Sequence, residues 1–180
     1  FCLRHMGDQI EKHISSNYNH MINAEYIWEQ KPLGTIGAIK KIKNFKNDYI
    51  IITNSDIITK INYEKFFLDF IKNDADMSIA TIPYSVNIPY AVIETNNNQV
   101  ISFSEKPTYN YFSNGGIYIV KKSVLSNIPS NSFYNATDLM ENLISNGCKL
   151  ISYPLKEYWI DVGTLDNFKK AKSDMKNLNL

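Results

Sequence analysis

Apolar and polar positions along the chain alternate between two rhythms. Met6 to Ser16 carries Ile10 and Ile14 at helical spacing, and Leu33 to Lys43 repeats Ile36, Ile39 and Ile42, so both read as helices. Asn62 to Asn73 is amphipathic, with Phe66, Phe67, Phe70 and Ile71 on its buried side and Asn62 as N-cap. Ala136 to Ser145 buries Leu139, Leu143 and Ile144, starts at the N-cap Asn135 with Asp138 three residues on, and stops at Gly147. Leu165 to Lys176 closes the chain behind the N-cap Thr164. Between these segments lie shorter runs of strand character: Phe1-Cys2-Leu3, Met21 to Trp28, Tyr49 to Thr53, Met77 to Pro83, Ile117 to Val120, Lys149 to Tyr153 and Tyr158 to Ile160. Tyr49-Ile50-Ile51-Ile52-Thr53 is apolar on both faces, which predicts a strand in the buried centre of a parallel sheet. Ala91 to Glu94 and Val100 to Phe103 flank Asn96-Asn97-Asn98 and predict a β-hairpin.

Strand–helix alternation interrupted by a hairpin predicts an α/β fold, a mixed, mainly parallel sheet flanked by helices. The chain has 180 residues, 44% of them hydrophobic, enough for one core and short for two independent domains. The opening at Phe1, with no Met and in a strand already under way, predicts an N-terminally truncated single domain over 1–180.

Charge and cysteines narrow the function classes. Nineteen basic residues against eighteen acidic leave a net charge of +1, which gives no field to steer the protein onto nucleic acid or an anionic membrane. Cys2 and Cys148 make neither a disulfide framework nor a zinc spacing with His5, His13 and His20, so they read as reduced thiols of a cytoplasmic protein. No apolar run reaches membrane-spanning length, and there is no signal-peptide pattern. Asn135-Ala136-Thr137 matches a glycosylation sequon, but the capping pattern around it is the better account.

In open α/β sheets ligands bind beyond the carboxyl ends of strands. Asp56, Lys106 and Asp161 each follow a strand run there, and Gly34-Thr35 occupies a tight turn before a helix. Two carboxylates from different strand ends suit Mg²⁺, which takes one or two carboxylates and leaves its other positions to water and phosphate. A lysine at a third strand end can neutralise a phosphate oxygen, and Gly34, Gly115, Gly116 and Gly163 allow close backbone approach. Together these residues suit phosphoryl or nucleotidyl transfer, where positioning and charge neutralisation do most of the work. Taken singly each has a plainer reading: Asp56 and Asp161 as turn residues, Thr35 as a helix start, Lys106 as a surface lysine.

The order of the motifs is distinctive. Lys31-Pro32-Leu33-Gly34-Thr35-Ile36-Gly37-Ala38, Thr53-Asn54-Ser55-Asp56, Pro89-Tyr90-Ala91-Val92-Ile93-Glu94, Glu105-Lys106-Pro107, Asn114-Gly115-Gly116-Ile117-Tyr118 and Tyr158-Trp159-Ile160-Asp161-Val162-Gly163-Thr164 resemble, in sequence, the sugar-1-phosphate nucleotidyltransferase family. The resemblance spans Phe1 to about Lys172. It implies a Rossmann-like, GT-A-like nucleotidyltransferase fold and the reaction of an NTP with a sugar 1-phosphate to give an NDP-sugar and pyrophosphate. It further implies that Asp56 and Asp161 hold Mg²⁺ and, with Lys106, form the catalytic set. Gly34 and Thr35 would line the nucleobase site, and Tyr90 and Ala91 would border the sugar. Glu105 and Asn114 would contact the sugar, Lys106 its phosphate, Gly115 would keep the floor clear, and Thr164 would lie near the phosphate. The implied partners are the two substrates, with room for a homo-oligomer and none for nucleic acid or membrane.

Three positions depart from the family pattern: Ser55 and Ala91 stand where Gly is usual, and Gly115 where Ala is common. The family's glycine-rich signature loop, with its catalytic Arg, has no counterpart here, so the chain by itself is expected to be inactive. That absence makes a non-catalytic nucleotide-sugar-binding or regulatory subunit the main alternative. A glycosyltransferase reading rests on Asp74-Ala75-Asp76, which has metal-binding spacing but precedes a strand. A purely structural domain predicts indifference to Mg²⁺.

Overall fold

The computed structural model describes residues 1–43 and 45–178. Its elements follow in the order β1 (Cys2–Leu3), α1 (Gly7–Asn17), β2 (Ile27–Trp28), a 3₁₀ helix (Gly37–Lys41), β3 (Tyr49–Thr53), β4 (Ile57–Thr59), α2 (Tyr63–Lys72), β5 (Met77–Asn87), β6 (Val92–Asn96), β7 (Gln99–Ser104), β8 (Thr108–Lys121), a second 3₁₀ helix (Lys122–Asn127), α3 (Ala136–Ser145), β9 (Leu150–Pro154), β10 (Trp159–Asp161) and α4 (Leu165–Leu178). The largest sheet runs β3-β8-β5-β9; β1 pairs with β2 in parallel, while β4 with β10 and β6 with β7 are antiparallel. The α/β class with a mixed set of strands and a hairpin is as expected.

Several element ends follow from side chains visible in the sequence. Asn62 Oδ1 accepts from Lys65 N–H at 2.9 Å and starts α2. Asn135 and Asp138 form the reciprocal capping box of α3. Gly147, at φ 73°, ends α3 with its N–H on Ile144 O and that of Cys148 on Leu143 O. Thr164 Oγ1 accepts from Asn167 N–H at the start of α4. Asn97 and Asn98, at φ 46° and 65°, form the hairpin turn, because asparagine tolerates the left-handed region that such turns need.

Three expectations change. The segment Leu33 to Lys43 is a turn followed by five residues of 3₁₀ helix rather than a full helix. Only Ile27 and Trp28 of the strand expected from Met21 pair with a neighbour. Tyr49–Thr53 has the expected limits but lies at the edge of the four-stranded sheet, with Ile51 46% exposed. An unbroken apolar run marks a strand; the partners on its flanks decide whether it is covered.

The chain forms two compact units. The first comprises Phe1–Ile52, Phe70–Ser78 and Ile119–Ile151, and the second Thr53–Asp69, Ile79–Tyr118 and Ser152–Leu180. Leu33, Ile36, Phe70, Met77, Ile119, Leu139 and Leu143 are buried in the first. Phe66, Ala80, Ile117, Tyr118, Ile160 and Ala171 are buried in the second, where the Phe66 ring lies 4.8 Å from that of Tyr153. Both cysteines are free thiols. Among the described residues no helix is long and apolar enough to cross a membrane.

Candidate functional site

The short strand β4, directly after Asp56, assembles the acidic part of the site in the second unit. It pairs with β10 so that Asp161 lies opposite Ile57, and Val162 N–H donates to Asp56 O at 2.8 Å. The ends of the two strands thereby bring the two carboxylates to one place. A methyl group on Gly163 would lie 2.9 Å from Asp161 Oδ1 and 3.7 Å from Asp56 Oδ2. Gly163 N–H donates to Asp161 Oδ1 at 2.6 Å and fixes its direction. Among the described residues neither carboxylate forms an ion pair, and no cluster of three or more potential metal ligands occurs. The protein thus presents two carboxylates without a cationic partner, a set that suits a hard cation whose remaining ligands are water and phosphate.

The glycine pair of β8 packs beside this point. Asn54 N–H donates to Gly116 O at 2.9 Å, and the Trp159 indole donates to Gly115 O at 2.9 Å. Asn54 and Trp159 each stand two residues before one of the aspartates. A methyl on Gly115 would meet Ala80 O at 2.7 Å, so the approach of two backbones holds this position to glycine. Gly116, at φ 70°, faces Ile57 and Asn54 just as closely. The Asn114 amide is fixed at both ends, donating to Tyr118 Oη at 2.8 Å and accepting from Gly116 N–H at 2.9 Å. Burial pushes the Tyr118 phenol up, with the Asn114 bond acting in the opposite direction. Ser55 is not among the left-handed residues, so its backbone does not call for glycine.

Most of the other expected residues of this unit are exposed at its surface. Tyr90 is 76% exposed, and Ala91, Glu105 and Lys106 are also exposed. Among the described residues no hydrogen bond or ion pair ties Glu105 or Lys106 to Asp56 or Asp161. Lys106 has φ 44°, a strained backbone for a side chain of its size, and Pro107 after it disfavours the helical region further. Thr164 caps α4, whose far end is held by the Tyr158 hydroxyl donating to Asp174 at 2.8 Å. Burial and the Asp174 charge both raise the Tyr158 phenol.

Gly34 and Thr35 belong to the first unit. Gly34 is at φ 75°, and a methyl there would collide with Tyr134 O at 2.5 Å. Thr35 is exposed at its side chain yet tied through its Oγ1, which accepts from Ala136 N–H at 2.8 Å. Asp74 and Asp76, the pair with metal-binding spacing, are both occupied by Lys121 at 2.9 and 3.1 Å. Asp76 also accepts from Lys149 N–H at 2.8 Å, and the Lys149 ammonium donates to Asn73 O, so the pair anchors the start of β5.

Asn54 and Trp159 stand in the sequence motifs without an assigned role, and the strand Ile57–Thr59 was not expected. The β-branched run after Asp56 was the available signal, since it predicts a strand that must find a partner.

A model of the nucleotidyl transferase family matches residues 2–177. D-glycero-α-D-manno-heptose 1-phosphate guanylyltransferase of Aneurinibacillus thermoaerophilus is 30% identical over 173 residues, covering 94% of this chain and 74% of that protein. Glucose-1-phosphate adenylyltransferase of Bacillus thuringiensis is 30% identical over 158 residues; the match covers 79% of this chain and only 42% of the relative. Among solved structures, HddC from Yersinia pseudotuberculosis superposes with a TM-score of 0.72 at 24% identity, covering 97% of this chain and 76% of that one. The same protein complexed with GMP-PN gives 0.71 at 22%, over 96% and 76% of the two chains. These likenesses agree on a GT-A-like fold. The family match across nearly the whole described chain, together with relatives of this kind, makes the chain a member of the nucleotidyl transferase family, alongside sugar-1-phosphate nucleotidyltransferases.

Proposed function

We propose that the protein containing this chain transfers a nucleotidyl group from an NTP to a sugar 1-phosphate. An oxygen of the sugar phosphate attacks the α-phosphorus, the bond to the bridging oxygen breaks, and pyrophosphate leaves with that electron pair. The observation that carries the reading is the convergence of Asp56 and Asp161 beside Gly163, two carboxylates that form no ion pair among the described residues.

The donor set fits Mg²⁺, which when bound supplies charge neutralisation on the phosphates. Asp56 and Asp161 hold it. Lys106 offers its ammonium to the sugar phosphate, and the strained backbone at that position agrees with a functional placement. Tyr90 and Ala91 border the sugar. Glu105 and Asn114 bind its hydroxyls, the amide of Asn114 being oriented beforehand by Tyr118 and Gly116. Gly115 keeps the floor open, Thr164 lies toward the phosphate, and Gly34 and Thr35 contact the base. HddC, whose fold this chain shares, is known complexed with GMP-PN, which supports a nucleotide as donor.

The test is pyrophosphate release by the protein containing this chain, rather than by residues 1–180 alone, with Mg²⁺, a panel of NTPs and a panel of sugar 1-phosphates. Asp56→Asn and Asp161→Asn are expected to lower Mg²⁺-dependent turnover by about a hundredfold or more, as removal of a preorganised charge-stabilising group does. Turnover unchanged by both variants overturns the proposed metal site. Binding of an NDP-sugar with no pyrophosphate release under any combination replaces transfer by a non-catalytic binding role.

A further inference from the structure

The turn Leu33–Gly37 does not hold its shape alone. Within the first unit it is bonded to the residues that open α3. Tyr134 N–H donates to Leu33 O at 2.9 Å, and Ile36 and Gly37 N–H both donate to Tyr134 O, at 3.2 and 3.1 Å. The side chains then cross. Thr35 N–H donates to Asn135 Oδ1 at 3.3 Å, while Ala136 N–H donates to Thr35 Oγ1 at 2.8 Å. Asn135 meanwhile performs its own capping duty, accepting from the Asp138 amide as Asp138 Oδ2 accepts from Asn135 N–H at 2.7 Å.

A helix start needs only the last of these arrangements, the capping bonds of Asn135 and Asp138. Asn135 makes one bond more than capping requires, and that bond ends on the turn, 100 positions away in sequence. Thr35 returns it by satisfying a free N–H of the helix's first turn. Gly34 permits the close contact, because any side chain there would strike Tyr134 O.

We infer that Asn135 is a positioning residue for nucleotide binding: its side-chain oxygen fixes the backbone of Gly34-Thr35 in the shape that meets the base. The inference rests on the proposed reading of Gly34 and Thr35 as base contacts. It assigns Asn135 an effect on nucleotide affinity rather than on the rate of the chemical step, since it touches neither reacting group.

Three variants separate positioning from capping. Asn135→Ser keeps a capping oxygen for α3 on a side chain too short to serve Thr35 as well. Asn135→Asp keeps both acceptors, and Asn135→Ala removes both. The readouts are thermal unfolding, amide hydrogen exchange at Thr35, and the affinity for GTP, ATP, UTP and dTTP with Mg²⁺, with kcat where turnover is measurable. Asn135→Ser is expected to melt with the parent, to exchange the Thr35 amide about tenfold faster and to bind its preferred nucleotide about tenfold more weakly, the scale of one lost hydrogen bond, with kcat changed less than about twofold. Asn135→Asp should match the parent in all three, and Asn135→Ala should lose stability as well. Parent-like exchange and affinity in Asn135→Ser overturn the inference. Faster exchange with unchanged affinity shows that Asn135 shapes the turn but that the turn does not set nucleotide affinity, which overturns the base-contact reading and the inference with it. A parent that binds none of the four nucleotides overturns that reading directly, and the exchange rates then judge the tie between Asn135 and Thr35 separately.

Discussion

At the scale of single residues, glycine positions are the most constrained. Gly34 combines a left-handed φ with a backbone oxygen 2.5 Å from where a methyl would sit. Gly34→Ala is therefore expected to destabilise the chain by more than about 2 kcal/mol, read as a shift of the urea midpoint. Gly163 differs, because the atom a methyl meets there is the end of a carboxylate that can swing aside. Gly163→Ala should leave the urea midpoint near the parent value while weakening Mg²⁺ binding several-fold, measured by calorimetry in the presence of nucleotide; a loss of stability equal to that of Gly34→Ala would contradict this assignment. Both glycines stood out in the sequence, as did Asp56 and Asp161. What a methyl at Gly34 would strike could not be read there, since Tyr134 reaches that position only through folding.

At the scale of elements, local rules account for most starts and stops. The caps Asn62, Asn135 and Thr164 and the stop at Gly147 are where the sequence put them, because a cap is a contact among residues three or four apart. The hairpin turn follows from Asn97 and Asn98, and Asn98→Gly is expected to stabilise it by up to about 1 kcal/mol, visible as a raised melting temperature. Elements defined by distant partners were less legible. Strand β4 is three residues long and exists through its pairing with β10. The helix expected from Leu33 gives way to a turn because the amides of Ile36 and Gly37 donate to Tyr134 O instead of to a preceding turn.

At the scale of the whole molecule, the α/β class and family membership were within reach of the sequence, while the division into two compact units and the pairing of charges came from the fold. The first unit holds an acid-sensitive anchor. Asp76 sits below the usual carboxylate range, first because Lys149 N–H donates to it and then through its bond to and the charge of Lys121, with burial opposing. A carboxyl lowered in this way contributes stability above its unfolded value near ~3.9 and loses it as pH falls through the folded value. Asp76→Asn should thus be less stable than the parent at neutral pH, with the gap closing below about pH 4; an equal gap at pH 3 and pH 7 would exclude the ionised carboxylate as its source. The sequence by itself determined what depends on neighbours along the chain: helix phase, caps, the hairpin turn, and the order of motifs that resembles one family. Tertiary structure decided what depends on residues far apart: that Asp56 and Asp161 face one point, that Asp74 and Asp76 are taken by Lys121, that Tyr49–Thr53 is an edge strand, and that Thr35 N–H donates to Asn135. The physical reason is one of range, since turn and capping energies act over a few residues whereas a carboxylate's partner is fixed only when strands pair.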